Sequence, residues 1–205
     1  MQRITKLALG CFLSISATAG AMDRHIQSDD MDRLNDRPIR AQAVLQGAPG
    51  SGISGVILFK QLPKNQYSPV TNVEVTARIE GLTPGQHGMH IHEAGNCTDT
   101  TIAFGGAGGH FDPGPFSSSN PVDANHPFHM GDLPNLEVNE EGIGTLRRHS
   151  TSRVTLSAGP LSVFDANGSA VIIHQNPDLG MTGVSGASGG ARVACGIIQL
   201  DNKSW

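Results

Sequence analysis

Between Val73 and Glu80 the chain alternates strictly. Val73, Val75, Ala77 and Ile79 are apolar, and Glu74, Thr76, Arg78 and Glu80 are polar. A period of two is the pattern of a β-strand with one face on a core and the other in water. The run Val70–Ile79 is therefore read as a strand. The same β-branched, partly alternating character marks Ala41–Leu45 and Ile53–Leu62 before it. After it come Leu133–Val138, Gly144–Arg148, Arg153–Leu156, Leu161–Phe164, Ala170–His174 and Arg192–Leu200. Turn-forming residues separate these runs. Gly81-Leu82-Thr83-Pro84-Gly85 is one turn, and Asn167-Gly168 is a hairpin signal ahead of the Ala170 strand. With 26 Gly and 12 Pro in 205 residues, short strands and many turns are favoured over long helices. About eight strands predict an all-β fold, a Greek-key β-sandwich or flattened eight-stranded barrel, in one domain.

Gly88-Met89-His90-Ile91-His92-Glu93 breaks the ordinary alternation with two histidines. Residues two apart on a strand share a face, so His90 and His92 can offer two imidazole nitrogens to one ion. By itself the pair is also compatible with plain polar side chains on a half-buried face. Residues 94–132 then depart from the strand pattern. They are rich in Gly, Pro, Ser and Asn, and they carry Cys97, His110, His126, His129 and Asp132. A long irregular stretch inside a compact domain is functional or disordered. A concentration of ligand-type residues favours a loop ordered by a metal and a disulfide. A second Gly-rich loop spans 178–191, after a strand that ends on His174.

Residues 1–21 read as a secretory leader. Arg3 and Lys6 precede an apolar run, Leu7–Ala19, that is too short to span a bilayer, and Ala19-Gly20-Ala21 fits a cleavage site. Residues 22–38 are charge-dense and lack apolar periodicity, as in a mobile arm. His25 in this arm is read as solvated, with a copper or nickel clamp to a new N-terminus as the sharper alternative. The domain proper is then 39–205. Loss of the leader removes Cys11 and leaves Cys97 and Cys195, an even pair in an exported chain, which predicts one disulfide closing a long loop. The formal charge of −4 becomes −6, because twelve basic residues remain against eighteen acids. No basic stripe is present, which argues against nucleic acid as a partner.

Taken together, certain motifs resemble those of the copper,zinc superoxide dismutases. They are His90-x-His92, Gly109-His110-Phe111-Asp112-Pro113, His129-Met130-Gly131-Asp132-Leu133-Pro134-Asn135, His174 followed by Asp178, and Ala191-Arg192-Val193-Ala194-Cys195-Gly196. The resemblance covers about residues 40–200 and is closest to secreted bacterial members. It implies that His90, His92, His110 and His174 bind copper, and that four imidazoles suit Cu(II). It implies that His110 bridges to zinc, which His129 and Asp132 also bind, with His126 as the remaining ligand and a local hydrogen-bonding role as its alternative. Asp178 is implied to orient ligand imidazoles. Arg192 is implied to attract the anionic substrate, superoxide, and His110 to move a proton. The implied activity is disproportionation of superoxide to dioxygen and hydrogen peroxide. The alternative is a non-enzymatic copper-binding or copper-delivery module on the same fold. The implied location is periplasmic or extracellular, with no membrane span after leader removal; a homodimer is left open. One departure stands out: no charged residue lies between Asp178 and Arg192, so steering by lysines of that loop is not expected.

Overall fold

The computed structural model describes residues 37–64, 70–113, 128–180 and 188–201. The expected leader, most of the arm, His25 and His126 lie outside these residues. Nine strands form one antiparallel sheet: β1 (Ile39–Gly47), β2 (Ser54–Leu62), β3 (Asn72–Glu80), β4 (Gly85–His87), β5 (Met89–His92), β6 (Leu136–Val138), β7 (Ile143–Thr151), β8 (Ala170–His174) and β9 (Arg192–Leu200). Their order is β4-β6-β7-β3-β2-β1-β9-β8-β5. The two edge strands, β4 and β5, are separated in sequence by Gly88 alone. The sheet must therefore curl until its edges meet, which makes a nearly closed barrel.

The alternation in β3 plays out as expected. Val73, Val75, Ala77 and Ile79 are buried, and the polar residues that alternate with them, Glu74, Thr76, Arg78 and Glu80, point out. The barrel interior is filled by these together with Ala41, Ala43, Leu45, Ile57, Phe59, Met89, Ile91, Val171, Ile173 and Ile198, among others. Each such fully buried large side chain stabilises the fold by ~1.5–3 kcal/mol relative to exposure. A second, smaller apolar cluster lies outside the barrel wall. There Phe104, Ala107, Ala170, Ile172 and Cys195 pack together, with Cys97 against them. The long loop after β5 thus covers the outer faces of β8 and β9.

Two expected strands do not form. Arg153–Leu156 and Leu161–Phe164 share one parallel bridge, Thr155 to Ser162, and no ladder. Val154, Leu156 and Val163 are buried all the same. Their apolar character reflects burial in the core, which periodicity over four residues cannot tell from strand pairing. The amides of Leu156 and Ser157 donate instead to Gln61 Oε1 (2.6 and 3.2 Å). Asn167-Gly168 accordingly turns the chain into β8 without closing a two-stranded hairpin. Conversely, the turn at Gly85 begins β4, which pairs with β6.

Candidate metal centre

β5 sends Met89 and Ile91 into the core and His90 and His92 to the outer face, yet all four are buried. The cover comes from the long loop. As an edge strand, β5 has backbone groups that β8 does not use, and two loop segments take them up. Phe111 N–H donates to Ile91 O (2.9 Å), Ile91 N–H to Gly131 O (2.9 Å) and Glu93 N–H to Gly109 O (3.0 Å). These bonds set His110 opposite His92 and Asp132 opposite His90. Loop residues are thereby held with the register of a sheet. On the other side β8 pairs with β5 and ends at a bulge on His174, which stands opposite Arg192 at the start of β9.

His90, His92, His110 and His174 converge so that one ligand atom from each lies within 4.8 Å of the others. Ring centroids are 4.0 Å apart for His90–His110, 4.8 Å for His90–His174 and 5.0 Å for His92–His110. In three of these rings one nitrogen is anchored. His92 Nδ1–H donates to Gly108 O (3.0 Å), His174 Nδ1–H to Gly190 O (2.9 Å) and His90 Nε2–H to Asp178 Oδ2 (2.8 Å). The opposite nitrogens, His90 Nδ1, His92 Nε2 and His174 Nε2, are buried with no hydrogen-bond partner. Each anchor fixes the tautomer, so each free nitrogen presents a lone pair. Buried acceptors are normally satisfied. Three unsatisfied ones facing a common point fit a soft-to-borderline cation such as copper. Burial, above all, and the neighbouring imidazoles keep the rings of His92 and His174 neutral. The pKa of His92 is held well below its ordinary value, and that of His174 is pushed down to about 3.

His110 also belongs to a second group with His129 and Asp132. Its Nδ1 is 2.8 Å from Asp132 Oδ1, which lies 3.7 Å from His129 Nδ1. The other carboxylate oxygen, Oδ2, accepts from the His129 backbone N–H (2.8 Å). Burial alone would raise the Asp132 pKa; hydrogen bonds from His110 and His129 reverse this and hold it well below the carboxylate range. A mixed set of imidazoles and one carboxylate suits zinc. Asp178 reaches toward this group as well, sharing a third cluster with His90 and Asp132. The hydrogen bond from His90, above all, lowers its pKa.

The expected ligands His90, His92, His110, His174, His129 and Asp132, together with Asp178, fall in these groups. Cys97 and Cys195 are disulfide-bonded, with Cα atoms 5.7 Å apart, and tie the long loop to β9. Arg192 is half-buried and donates to two carbonyls of that loop, Phe104 O (2.8 Å) and Gly108 O (2.6 Å). Sequence reasoning missed three supports. The Asn135 side chain clamps the Asp178 backbone, donating to its carbonyl (2.9 Å) and accepting from its amide (2.8 Å). Buried His87 is structural: its Nδ1–H donates to His174 O (2.7 Å) and its Nε2 lies 2.9 Å from Thr83 O. Gly108 serves both His92 and Arg192. Its φ of +73° suits glycine, and a Cβ there would meet Glu93 Oε1 at 2.5 Å.

Comparison with known proteins agrees with this geometry. The family profile described as Copper/zinc superoxide dismutase (SODC) matches residues 53–198. A copper–zinc superoxide dismutase of Deinococcus radiodurans is 34% identical over 203 residues, which cover 96% of this chain and 94% of the relative. A second such enzyme, from Brassica juncea, is 38% identical over 154 residues, covering 73% of this chain and 91% of the relative. The chain belongs to the copper/zinc superoxide dismutase family.

Proposed function

We propose that this chain disproportionates superoxide to dioxygen and hydrogen peroxide, with copper held by His90, His92, His110 and His174 and zinc by His110, His129 and Asp132. His126, outside the described residues, is the proposed fourth zinc ligand. The observation that carries the copper assignment is the set of three buried, partnerless imidazole nitrogens around one point. When bound, copper supplies one-electron redox chemistry and zinc a fixed positive charge.

The protein's own residues do the rest. The backbone carbonyls of Gly108 and Gly190 and the carboxylate of Asp178 hold three imidazoles in the tautomer that leaves a lone pair for the metal. His110, facing Asp132 through Nδ1, keeps its Nε2 for the copper group. That nitrogen is placed to take up a proton and pass it to the peroxide product. Burial lowers the His110 pKa, so the ring gives the proton up readily at neutral pH. Arg192 supplies a cation beside the site. No Lys or Arg occurs within 98–131 or 178–191, so attraction of the anion rests on Arg192 and the metals. A disulfide favours export, and among the described residues no helix is long and apolar enough to cross a membrane. We infer a periplasmic or extracellular enzyme.

Metal analysis paired with a superoxide assay tests the reading. The expected result is one copper and one zinc per chain, with activity that vanishes in His92→Ala. Copper bound tightly without dismutation would instead support a copper-delivery module.

A further inference from the structure

We propose that Phe104 is a positioning residue for Arg192. Its ring anchors a left-handed backbone turn whose carbonyl oxygen holds the guanidinium over the copper group. Among the described residues Phe104 is the only non-glycine with positive φ, at φ 52° and ψ 28°. A side chain in this region is disfavoured because Cβ crowds the backbone, and it persists only where the surroundings impose it. The inference rests on the reading of Arg192 as the anion-guiding cation.

Three contacts impose the conformation. The ring is buried in the small outer cluster with Ala107, Ala170, Ile172 and Cys195. The Phe104 amide donates to Asp99 Oδ1 (2.9 Å). The Phe104 carbonyl starts the 3-10 turn Gly105–Ala107 by accepting from Ala107 N–H (3.2 Å). A carbonyl oxygen has two lone pairs, and the second accepts from Arg192 Nη1 at 2.8 Å. The turn ends four residues later at Gly108, whose carbonyl accepts from Nη2 at 2.6 Å. The guanidinium therefore spans the turn from its first carbonyl to its last. A charge-assisted pair of bonds fixes both position and plane. An extended residue 104 would turn its carbonyl elsewhere and leave Arg192 on one support.

Strain at a functional site and a deeply seated ring are both explained if the ring's task is to set that carbonyl. Glycine at 104 would ease the backbone but lose the anchor. The proposal therefore distinguishes two substitutions: Phe104→Gly should impair Arg192, and Phe104→Leu, which keeps an apolar anchor, should largely restore it.

The test uses azide as an anion probe on the copper- and zinc-loaded protein, titrated by its visible absorption rather than by turnover. Phe104→Ala should weaken azide binding ~3- to 10-fold, and Phe104→Ala in an Arg192→Gln background should weaken it no further. A second readout is 15N NMR of the reduced, diamagnetic holoprotein. The Nη groups of Arg192 should give separate resonances in the parent protein and averaged ones in Phe104→Ala. If Phe104→Ala does not fold, Asp99→Ala releases the same amide with the ring in place and should show both effects. Unchanged azide binding in Phe104→Ala and Asp99→Ala, with a normal response to Arg192→Gln, would overturn the positioning role alone. So would an equal loss with or without Arg192. If Arg192→Gln itself leaves azide binding unchanged, the guiding role of Arg192 fails, and the positioning role with it.

Discussion

His92 and Arg192 hang from the same oxygen atom. The Gly108 carbonyl accepts from His92 Nδ1 (3.0 Å) and from Arg192 Nη2 (2.6 Å). A displacement of one carbonyl must then disturb both a proposed copper ligand and the proposed anion guide. Gly108→Ala should cause such a displacement, because its Cβ would meet Glu93 Oε1 at 2.5 Å and its φ is +73°. We expect copper affinity and dismutation rate to fall together, with zinc affinity unchanged. Competition titrations for the two metals, run beside the rate assay, check this. A fall in rate with full copper affinity would uncouple the two residues.

Arg192 itself should govern the second-order rate. The whole chain is negative and its substrate is an anion, so attraction must be local. One charge about 5 Å away at an effective dielectric near 20 is worth ~3 kcal/mol before salt screening. We expect Arg192→Gln to lower the rate ~10-fold or more and to flatten its dependence on ionic strength, with Arg192→Glu lower still. A neutral variant with full rate and full salt dependence would leave Arg192 as a brace for the 104–108 turn.

Much of this site was legible in the chain because its chemistry is written in residue types. His90-x-His92 on a strand, and ligand-type residues crowded into a loop too long to be a simple connection, point to metal without coordinates. The supports were not legible, because they are backbone atoms. Nothing in the letters Phe104 or Gly108 says which way a carbonyl points. Asn135 was visible only as part of a motif, and its clamp on Asp178 spans 43 residues. In the fold, nine-residue strands such as β3 declared themselves through alternation, whereas Gly85–His87 is too short to show a period. Arg153–Leu156 and Leu161–Phe164 had strand composition and yet are held by Gln61 and by burial.

Zinc binding offers a separate check on a residue whose place is known only from sequence. His110, His129 and Asp132 make three ligands, and a closed structural zinc site has four. We expect His126→Ala to weaken zinc at least ~10-fold while copper still binds, as loss of a ligand or its support does in comparable sites. Unchanged zinc affinity would leave the fourth position to water.

The disulfide closes a loop across a sequence separation of 98 residues. On the chain-entropy account such a link stabilises the fold by ~4–5 kcal/mol. Paired replacement of Cys97 and Cys195 by Ser should cost about this amount in denaturant unfolding. It should also loosen the outer cluster in which Cys195 and Phe104 share neighbours. Titration of the denatured, unreduced mature protein should find no free thiol.

Acid should unfold the metal-free protein earlier than its carboxylates alone require. The sign follows from proton counts. Burial holds His92 and His174 below their ordinary 6.5 in the fold, His174 at about 3, and both relax toward 6.5 when the chain unfolds. Between about pH 6.5 and 3 the unfolded chain then binds more protons than the folded one at His174, so stability falls as pH falls, by ~1.4 kcal/mol per pH unit for that histidine, and His92 acts in the same direction. Below about pH 4 the depressed carboxyls of Asp132 and Asp178 add to the loss, since their stabilisation is present only while they are ionised. Bound metal should abolish the first phase, because a metal holds the same imidazoles neutral in competition with protons. Urea midpoints of chelator-stripped protein at pH 7, 6, 5 and 4 measure the slope. His174→Gln, which has nothing to protonate, should make it shallower by ~1.4 kcal/mol per unit. A metal-free protein equally stable at pH 7 and pH 5 would mean that His92 and His174 open to water once the metal leaves.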